Sequence, residues 1–260
     1  MAHLVEIPVN KKDRLDKLLV ELKLAPTRAR ARALILAGRV KVNSQVVDKA
    51  GALIQPGDSI EVARENEFAS RGGEKLEYAI RHFHPDIGGK VALDVGASTG
   101  GFTDCLLRHG ARKVYAVDVG YGQLAWRLRG DPRVVVIERT NARNLTPEMF
   151  DERPQFATID VSFISLTLIL PPVAEVLTQE AEILALIKPQ FEAGREHVGK
   201  GGVVRDASVH ARVIEKVTDF ASGLGLASGG TVESPMLGPA GNREFFVYLA
   251  KPGARRPGHD

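Results

Sequence analysis

Residues 92–107 carry the pattern that most restricts the fold of this chain. They read ALDVGASTGGFTDCLL, which combines a hydrophobic strand, a glycine-rich turn and an amphipathic helix. A second strand, VYAVDVG, follows, and later apolar segments read RVVVIE, FATIDVSF, ILALIK and FFVYLA. Because these strands alternate with helical stretches, we predict an α/β fold built on a mostly parallel sheet.

The segment before this region predicts a separate small domain. Leucines at helical spacing from Leu15 to Leu22, a break at Pro26 and a second helical run from about Thr27 indicate two helices. Short alternating strands separated by Gly and Pro turns follow Gly38. We therefore predict an α+β domain at residues 1–63, a linker at 64–73, the α/β domain at 74–251 and a flexible tail at 252–260.

Basic charge is concentrated in the small domain. Residues 1–65 contain 12 Lys or Arg against 8 Asp or Glu, net +4, whereas the remainder contains 23 against 24, net −1. Arg28 and Arg32 are four residues apart, so they can share one face of the second helix. A charge run is usually only a solvated face, but this balance in so small a domain favours contact with RNA phosphates.

Cysteine and histidine usage argues against disulfides and metals. Cys105 is the single cysteine, which excludes an internal disulfide and favours a reducing compartment. We expect Cys105 to pack as a small hydrophobic residue. His82 and His84 have no third ligand at a familiar spacing, so we expect no metal site.

Nothing in the sequence predicts a membrane segment. The N-terminal residues lack the apolar core and the cleavage site of a secretory signal. The most apolar run, residues 156–177, contains Asp160 and is interrupted by Pro171 and Pro172. We expect a cytoplasmic protein with no membrane partner.

The glycine-rich turn predicts a ligand at the carboxyl edge of the sheet. Gly96, Gly100 and Gly101 let a ligand approach the backbone at the start of a helix. Asp118 ends the next strand, where α/β nucleotide-binding folds place an acidic residue on ribose hydroxyls. Taken alone, the turn fits S-adenosylmethionine, a dinucleotide, or a tight turn without a ligand.

Eight segments together resemble the TlyA family, which joins an S4-like RNA-binding domain to a Rossmann-like, FtsJ-like methyltransferase domain. They read, in order, ASRGGEKL, LDVGASTGGFTDCLL, AVDVGYGQL, DPRVVVIERTNAR, DVSFISL, IKPQFE, GKGGVVRD and SPMLGPAGNREFF, within a match from about Arg14 to about Leu249. The resemblance implies 2′-O-methylation of ribosomal RNA, typically at cytidines of the small and large subunits, with S-adenosylmethionine as the methyl donor. Some family members are also labelled haemolysins.

The resemblance also implies roles for individual residues. The catalytic tetrad of the FtsJ-like group matches Lys75, Asp160, Lys188 and Glu244. The residues implied to surround the methionine part of the cofactor are Asp94, Gly96, Ser98, Gly100, Gly101 and Phe102. Asp118 would bind the ribose, Asn141 and Ala142 would line the adenine, and Asp160 would also lie near the cofactor. We expect RNA contacts from Arg14, Lys17, Arg28, Arg32, Arg39, Lys41 and Arg71.

A ribose 2′-hydroxyl is a weak nucleophile and must lose its proton as it attacks a methyl group. A lysine can accept that proton only as a neutral amine, which burial and a nearby cation favour. We expect Lys188 to be this base, Lys75 to supply the nearby charge, and Asp160 and Glu244 to orient the two amines. A carboxylate favours the ammonium instead, so the sequence leaves the protonation balance open. The reaction needs neither a metal nor a covalent enzyme intermediate.

Three alternatives stay open at this point. A non-catalytic RNA-binding or ribosome-assembly factor would bind the cofactor without turnover, and the complete tetrad argues against it. A membrane-active haemolysin is suggested only by the family label, and no lytic helix is evident. A base methyltransferase would move the methyl group to another acceptor, whereas the lysine pair favours a hydroxyl.

Overall fold

The structure is a computed structural model that describes residues 4–63 and 68–253. The chain divides into two compact units, with the boundary between residues 67 and 68. The predicted linker at 64–73 is too long, because Phe68 is buried in the core of the second unit and a helix begins at Arg71. Residues 64–67 of that linker, and the predicted tail beyond residue 253, lie outside the described residues.

The first unit, called here the N-terminal domain, packs two helices against short strands. The helices are α1 (Leu15–Glu21) and α2 (Arg28–Leu36), and the strands are β1 (Leu4–Pro8), β2 (Asp13–Arg14), β3 (Val40–Val42), β4 (Gln45–Val46), β5 (Leu53–Ile54) and β6 (Ser59–Ala63). An antiparallel sheet has the order β1-β6-β3-β4, and β2 pairs with β5. The Thr27 hydroxyl accepts the Arg30 N–H at 3.2 Å, so α2 starts just after Pro26.

The second unit, called here the C-terminal domain, is built on one seven-stranded sheet. Its strands are β7 (Val91–Val95), β8 (Lys113–Val117), β9 (Val134–Ile137), β10 (Phe156–Ile159), β11 (Glu182–Ile187), β12 (Ala227–Glu233) and β13 (Phe245–Ala250). Their order is β12-β13-β11-β10-β7-β8-β9, and the five strands from β7 to β11 are parallel. The predicted α/β fold with a mostly parallel sheet is confirmed.

Helices cover this sheet and bury two hydrophobic clusters. They are α3 (Arg71–Phe83), α4 (Gly101–Arg108), α5 (Trp126–Arg129), α6 (Leu170–Val176), α7 (Pro189–Glu192) and α8 (Ala207–Gly223). Strands β7, β10 and β11 are buried along their whole length, which explains their nearly continuous apolar sequences. Within residues 4–63 and 68–253, no helix has both the length and the apolar character needed to cross a membrane.

The last two strands depart from the parallel pattern. Strand β13 lies between β11 and β12 and runs antiparallel to both. All six of its residues are buried, as the apolar sequence FFVYLA suggests. Strand β12 reads ASGGTVE and is mostly exposed at the sheet edge, so it lacks the apolar alternation that predicts a strand and was not expected.

The strand order reverses beside β7, which fixes the position of the main cleft. Strands β8 and β9 lie on one side of β7, and β10 and β11 lie on the other. Ligands of open α/β sheets bind outside the carboxyl ends of the strands at such a reversal. Val95 and Ile159 are register partners at the ends of β7 and β10, so Gly96 and Asp160 follow side by side.

Candidate active site

Two lysine–carboxylate ion pairs border the cleft, and one residue of each pair, Lys75 or Asp160, lines a cavity there. Lys75 Nζ lies 2.6 Å from Glu244 Oε2, and their side chains are 11% and 1% exposed. Lys188 Nζ lies 2.6 Å from Asp160 Oδ1, with side chains 12% and 23% exposed. The four residue types predicted as a tetrad therefore form two close pairs, and each carboxylate holds one amine in place.

Four separate elements supply these side chains. Lys75 is on the first turns of α3, and Glu244 directly precedes β13. Asp160 follows β10, and Lys188 follows β11 as the residue that precedes α7. Strand ends place the last two at the carboxyl edge of the sheet, because β10 and β11 are parallel neighbours.

Ser162 adds a hydroxyl to the second pair. The Lys188 amine donates to Ser162 Oγ at 2.9 Å, so this amine is held by a carboxylate and a hydroxyl together. Glu244 Oε1, the carboxylate oxygen that does not contact Lys75 in the first pair, is buried without a hydrogen-bond partner among the described residues. The sequence did not single out Ser162, although it lies two residues after Asp160 in the segment DVSFISL.

The glycine-rich turn has the backbone geometry that the sequence predicts. Gly96 and Gly100 have φ angles of +85° and +93°, a region that side-chain-bearing residues rarely adopt. A side chain at Gly96 would also collide with the Asp160 carbonyl oxygen. The turn therefore packs directly against the residue that follows β10, and helix α4 begins immediately after it.

A cleft of about 810 Å³ opens at the strand reversal. Predicted cofactor residues that line it are Gly96, Ser98, Asp118, Asn141, Ala142 and Asp160. The Asp118 carboxylate accepts the backbone N–H groups of Ser98 at 2.8 Å and Gly120 at 2.7 Å. These bonds fix the carboxylate at the end of β8, where it faces the cleft.

A second cavity of about 360 Å³ shares Gly96, Ser98 and Asp160 with the first. It is lined by Lys75 and Arg71 of α3 and by the predicted cofactor residues Gly101 and Phe102. The two cavities therefore meet at Asp160, and Lys75 reaches the second one. Arg71, predicted to contact RNA, lies in this cavity and not in the N-terminal domain.

Asp94 has a different position from the one the resemblance implies. It is fully buried and lines neither cavity, since Thr103 Oγ1 donates to its Oδ2 at 2.6 Å and Thr158 Oγ1 to its Oδ1 at 3.2 Å. Burial raises the pKa of Asp94 to about 7, and the nearby Asp160 adds to the effect. Asp94 thus supports the turn from below by joining α4 to β10. Gly100 likewise lines neither cavity.

The loop after Asp160 contains an exposed aromatic residue that sequence reasoning missed. Phe163 is 89% exposed, has a φ angle of +63° and lines the main cleft, 4.9 Å from the Phe191 ring. The buried Glu192 fixes this loop, because its carboxylate accepts the Ser165 hydroxyl and the Leu166 N–H, both at 2.6 Å. A phenylalanine among serines gives no sequence signal for exposure, since its conformation depends on these contacts.

The N-terminal domain contains an ordered group of arginines, called here the Asp16 cluster. Asp16 is fully buried and receives Arg14 Nε at 3.0 Å, Arg28 Nη2 at 2.9 Å and Arg32 Nε at 3.3 Å. Hydrogen bonds from these groups, Arg14 first, hold the pKa of Asp16 well below its usual range. Three guanidinium groups around one carboxylate leave a net charge of +2, and all three remain about half-exposed.

The other predicted RNA contacts of this domain lie outside the cluster. Lys17 donates to Asp13 at 2.9 Å, which offsets its charge locally. Arg39 is exposed directly before β3, and Lys41 on β3 pairs in register with Glu61 of β6. The structure therefore brings together three of the seven predicted basic residues, and the signal for this was the four-residue spacing of Arg28 and Arg32.

Known proteins resemble both units of the chain. Residues 68–251 match the FtsJ-like methyltransferase family, and residues 13–60 match the S4 domain family. Over 238 residues, the chain is 46% identical to a Mycobacterium tuberculosis protein named 16S/23S rRNA (cytidine-2′-O)-methyltransferase TlyA, which covers 91% of this chain and 89% of the relative. Over 237 residues, it is 43% identical to Hemolysin A of Brachyspira hyodysenteriae, which covers 91% of this chain and 99% of the relative.

A solved structure supports the same assignment. The structure of a Streptococcus thermophilus protein named as a hemolysin superimposes on this chain with a TM-score of 0.72, and the two sequences are 44% identical. The match covers 97% of this chain and 92% of that protein. Sequence, fold and domain order therefore agree over nearly the whole length. The chain belongs to the FtsJ-like methyltransferases, within the TlyA family, and carries an S4 domain before its methyltransferase domain.

Proposed function

We propose that this protein transfers a methyl group from S-adenosylmethionine to a ribose 2′-oxygen of ribosomal RNA, at cytidines. The observation that carries the proposal is the pair of lysine–carboxylate contacts at the strand reversal, Lys75–Glu244 and Lys188–Asp160. Relatives named as rRNA (cytidine-2′-O)-methyltransferases support the ribose 2′-oxygen as the methyl acceptor and cytidine as the modified nucleoside. Both ion pairs are buried enough to stay ordered before a substrate binds.

The main cleft fits S-adenosylmethionine. The positive φ of Gly96 lets a ligand lie against the backbone, and Asp118 presents a fixed carboxylate suited to ribose hydroxyls. Asn141 and Ala142 line the same cleft farther along and would flank the adenine. When bound, the cofactor supplies a methyl group on a positively charged sulfur, so no further activation of the donor is needed.

The two amines have different tasks in the proposed reaction. Lys188, held between Asp160 and Ser162, is the proposed base: after its ammonium has released a proton to solvent, the amine takes the proton of the attacking 2′-hydroxyl. The Asp160 carboxylate then stabilises the ammonium that forms. Lys75, as an ammonium held by Glu244, attracts the negative charge that develops on the 2′-oxygen.

Two surfaces are suited to hold the RNA. Phe163 offers an exposed ring at the main cleft, on which an unstacked base could lie. The Asp16 cluster offers three guanidinium groups in a fixed arrangement, and arginine binds phosphate through paired N–H groups. Phosphate contacts of this kind position the RNA without reading its sequence.

The test is transfer of labelled methyl from S-adenosylmethionine to purified ribosomal subunits, followed by mapping of 2′-O-methylated positions. We expect label at discrete cytidine 2′-oxygens. Label on a base would replace the proposed acceptor, and cofactor binding without any label would favour an assembly factor. Because a relative is named Hemolysin A, leakage of vesicles by the purified chain is measured in parallel, and leakage would support a membrane-active role.

Lys188→Ala tests the role of the base. We expect the methyl-transfer rate to fall about 100-fold to 10,000-fold, the usual range for a lost general base, with cofactor affinity unchanged. Lys113→Ala is the matched control. Lys113 Nζ also lies 2.6 Å from a carboxylate oxygen, Asp151 Oδ2, but Lys113 is at the first residue of β8, the end of the strand away from the cleft residue Asp118. Undiminished transfer by Lys188→Ala would refute the assignment.

A further inference from the structure

Three potential metal ligands meet outside the proposed active site, between helices α3 and α4. They are Glu77 of α3, Cys105 of α4 and His109, the residue that follows α4. One ligand atom from each lies within 4.8 Å of the other two. We call this group the Glu77–Cys105–His109 cluster.

The spacing of these atoms is close to that of a tetrahedral metal site. Cys105 and His109 are four residues apart, so both side chains point to the same side, toward α3. Glu77 Oε2 lies 2.6 Å from His109 Nε2 and 3.8 Å from Cys105 Sγ. Bonds of about 2.0–2.3 Å to zinc place tetrahedral ligand atoms roughly 3.3–3.8 Å apart. To reach this spacing, the contact between Glu77 and His109 has to open by roughly 1 Å, and the ligand atoms of Cys105 and His109, which lie within 4.8 Å of each other, have to adopt the same range.

The chemistry of the cluster also fits a metal ion. Arg81 donates to Glu77 Oε1 at 2.6 Å, which leaves Oε2 to face Cys105 and His109. Glu77 and His109 are partly exposed, so an ion can enter from solvent.

We propose that Glu77, Cys105 and His109 bind one divalent ion of the zinc class, with water as a fourth ligand. Thiolate, imidazole and carboxylate are all zinc ligands, and a thiolate disfavours magnesium and calcium. The sequence predicts no metal site, because it has a single cysteine and no third ligand near His82 and His84, whereas Glu77 is 28 residues from Cys105 along the chain. A bound ion would join α3, which carries Lys75, to α4, which follows the glycine-rich turn.

Cobalt titration of the full, untagged and metal-free chain tests this proposal. A thiolate bound to Co²⁺ gives a near-ultraviolet charge-transfer band, and tetrahedral Co²⁺ absorbs strongly in the visible range. Because Cys105 is the only cysteine, any thiolate band reports this residue. We expect one Co²⁺ per chain, displaced by Zn²⁺.

Three variants and a control identify the ligands. Cys105→Ser removes the band, while His109→Gln and Glu77→Gln change partly exposed side chains and weaken Co²⁺ binding by at least about tenfold. His82→Gln, on the exposed face of α3, leaves the titration unchanged. The absence of a band in the unmodified chain would overturn the proposal. The proposal would also be overturned if both His109→Gln and Glu77→Gln kept the thiolate band and bound Co²⁺ as tightly as the unmodified chain, since Glu77 and His109 would then not be ligands.

Discussion

Replacing Asp94 by asparagine should change how the stability of the methyltransferase domain depends on pH. Asp94 is fully buried beneath the glycine-rich turn, where hydroxyl groups of Thr103 and Thr158 donate to it. Asparagine has nearly the same shape and keeps both contacts when one threonine hydroxyl turns to accept from its amide N–H, but it cannot ionise. Any difference in pH dependence between the two proteins therefore comes from the carboxyl group.

The sign and size of the effect follow from the position of the pKa. Burial raises the pKa of Asp94 from 3.8 to about 7, so between these values the folded protein keeps a proton that the unfolded chain has lost. The free energy of unfolding then falls by about 1.4 kcal/mol per pH unit and levels off above pH 7. Relative to Asp94→Asn, the unmodified protein should lose about 2–3 kcal/mol between pH 5 and pH 8.

Urea unfolding of both proteins at several pH values measures this difference. Asp206→Asn is the control, because hydrogen bonds from Ser208 lower the pKa of Asp206 and its carboxylate stays charged throughout this range. The difference in the free energy of unfolding between Asp206→Asn and the unmodified protein should be constant from pH 5 to pH 8. A constant offset for Asp94→Asn as well, or one that changes in the opposite direction, would refute the reasoning.

Two further predictions concern the ion pairs of each domain. Glu244→Ala leaves the nearly buried Lys75 ammonium without its partner and should lower the free energy of unfolding by about 3–5 kcal/mol. Adding Lys75→Met in the same chain should restore most of this stability. A double variant as unstable as Glu244→Ala would contradict the prediction. Arg28→Ala combined with Arg32→Ala should weaken RNA binding. The slope of the logarithm of the binding constant against the logarithm of salt concentration, measured by filter binding, should become shallower by about 0.7–0.9 for each lost phosphate contact. An unchanged slope would exclude the Asp16 cluster from the RNA site.

Local patterns were enough to predict the order of most elements and the cleft. Buried parallel strands are continuous apolar runs, so β7, β10 and β11 were visible in the sequence. Asp160 and Lys188 follow β10 and β11, but the tetrad itself was predicted from the family resemblance. The environment of a single side chain was less predictable, because it depends on residues far away in the chain. Asp94 was expected at the cofactor, yet Thr158, 64 residues later, helps to enclose it in the core.

The N-terminal domain shows the same limit of local reasoning. The spacing of Arg28 and Arg32 predicted a shared face, but not that Asp16, 12 residues before Arg28, binds both of them. A carboxylate among leucines carries no sign of its partners. The edge strand β12 was missed for the opposite reason, since its polar and glycine-rich residues have little to bury and its pairing with β13 is made by the backbone.

The insertion of β13 between β11 and β12 has a consequence for biosynthesis. Glu244, which pairs with Lys75 from 169 residues away, is positioned only when β13 docks between strands made earlier. A growing polypeptide therefore completes the glycine-rich turn long before it completes the lysine–carboxylate centre. We expect chains that stop before residue 244 to be inactive in methyl transfer, whereas chains that include β13 can form the lysine–carboxylate centre.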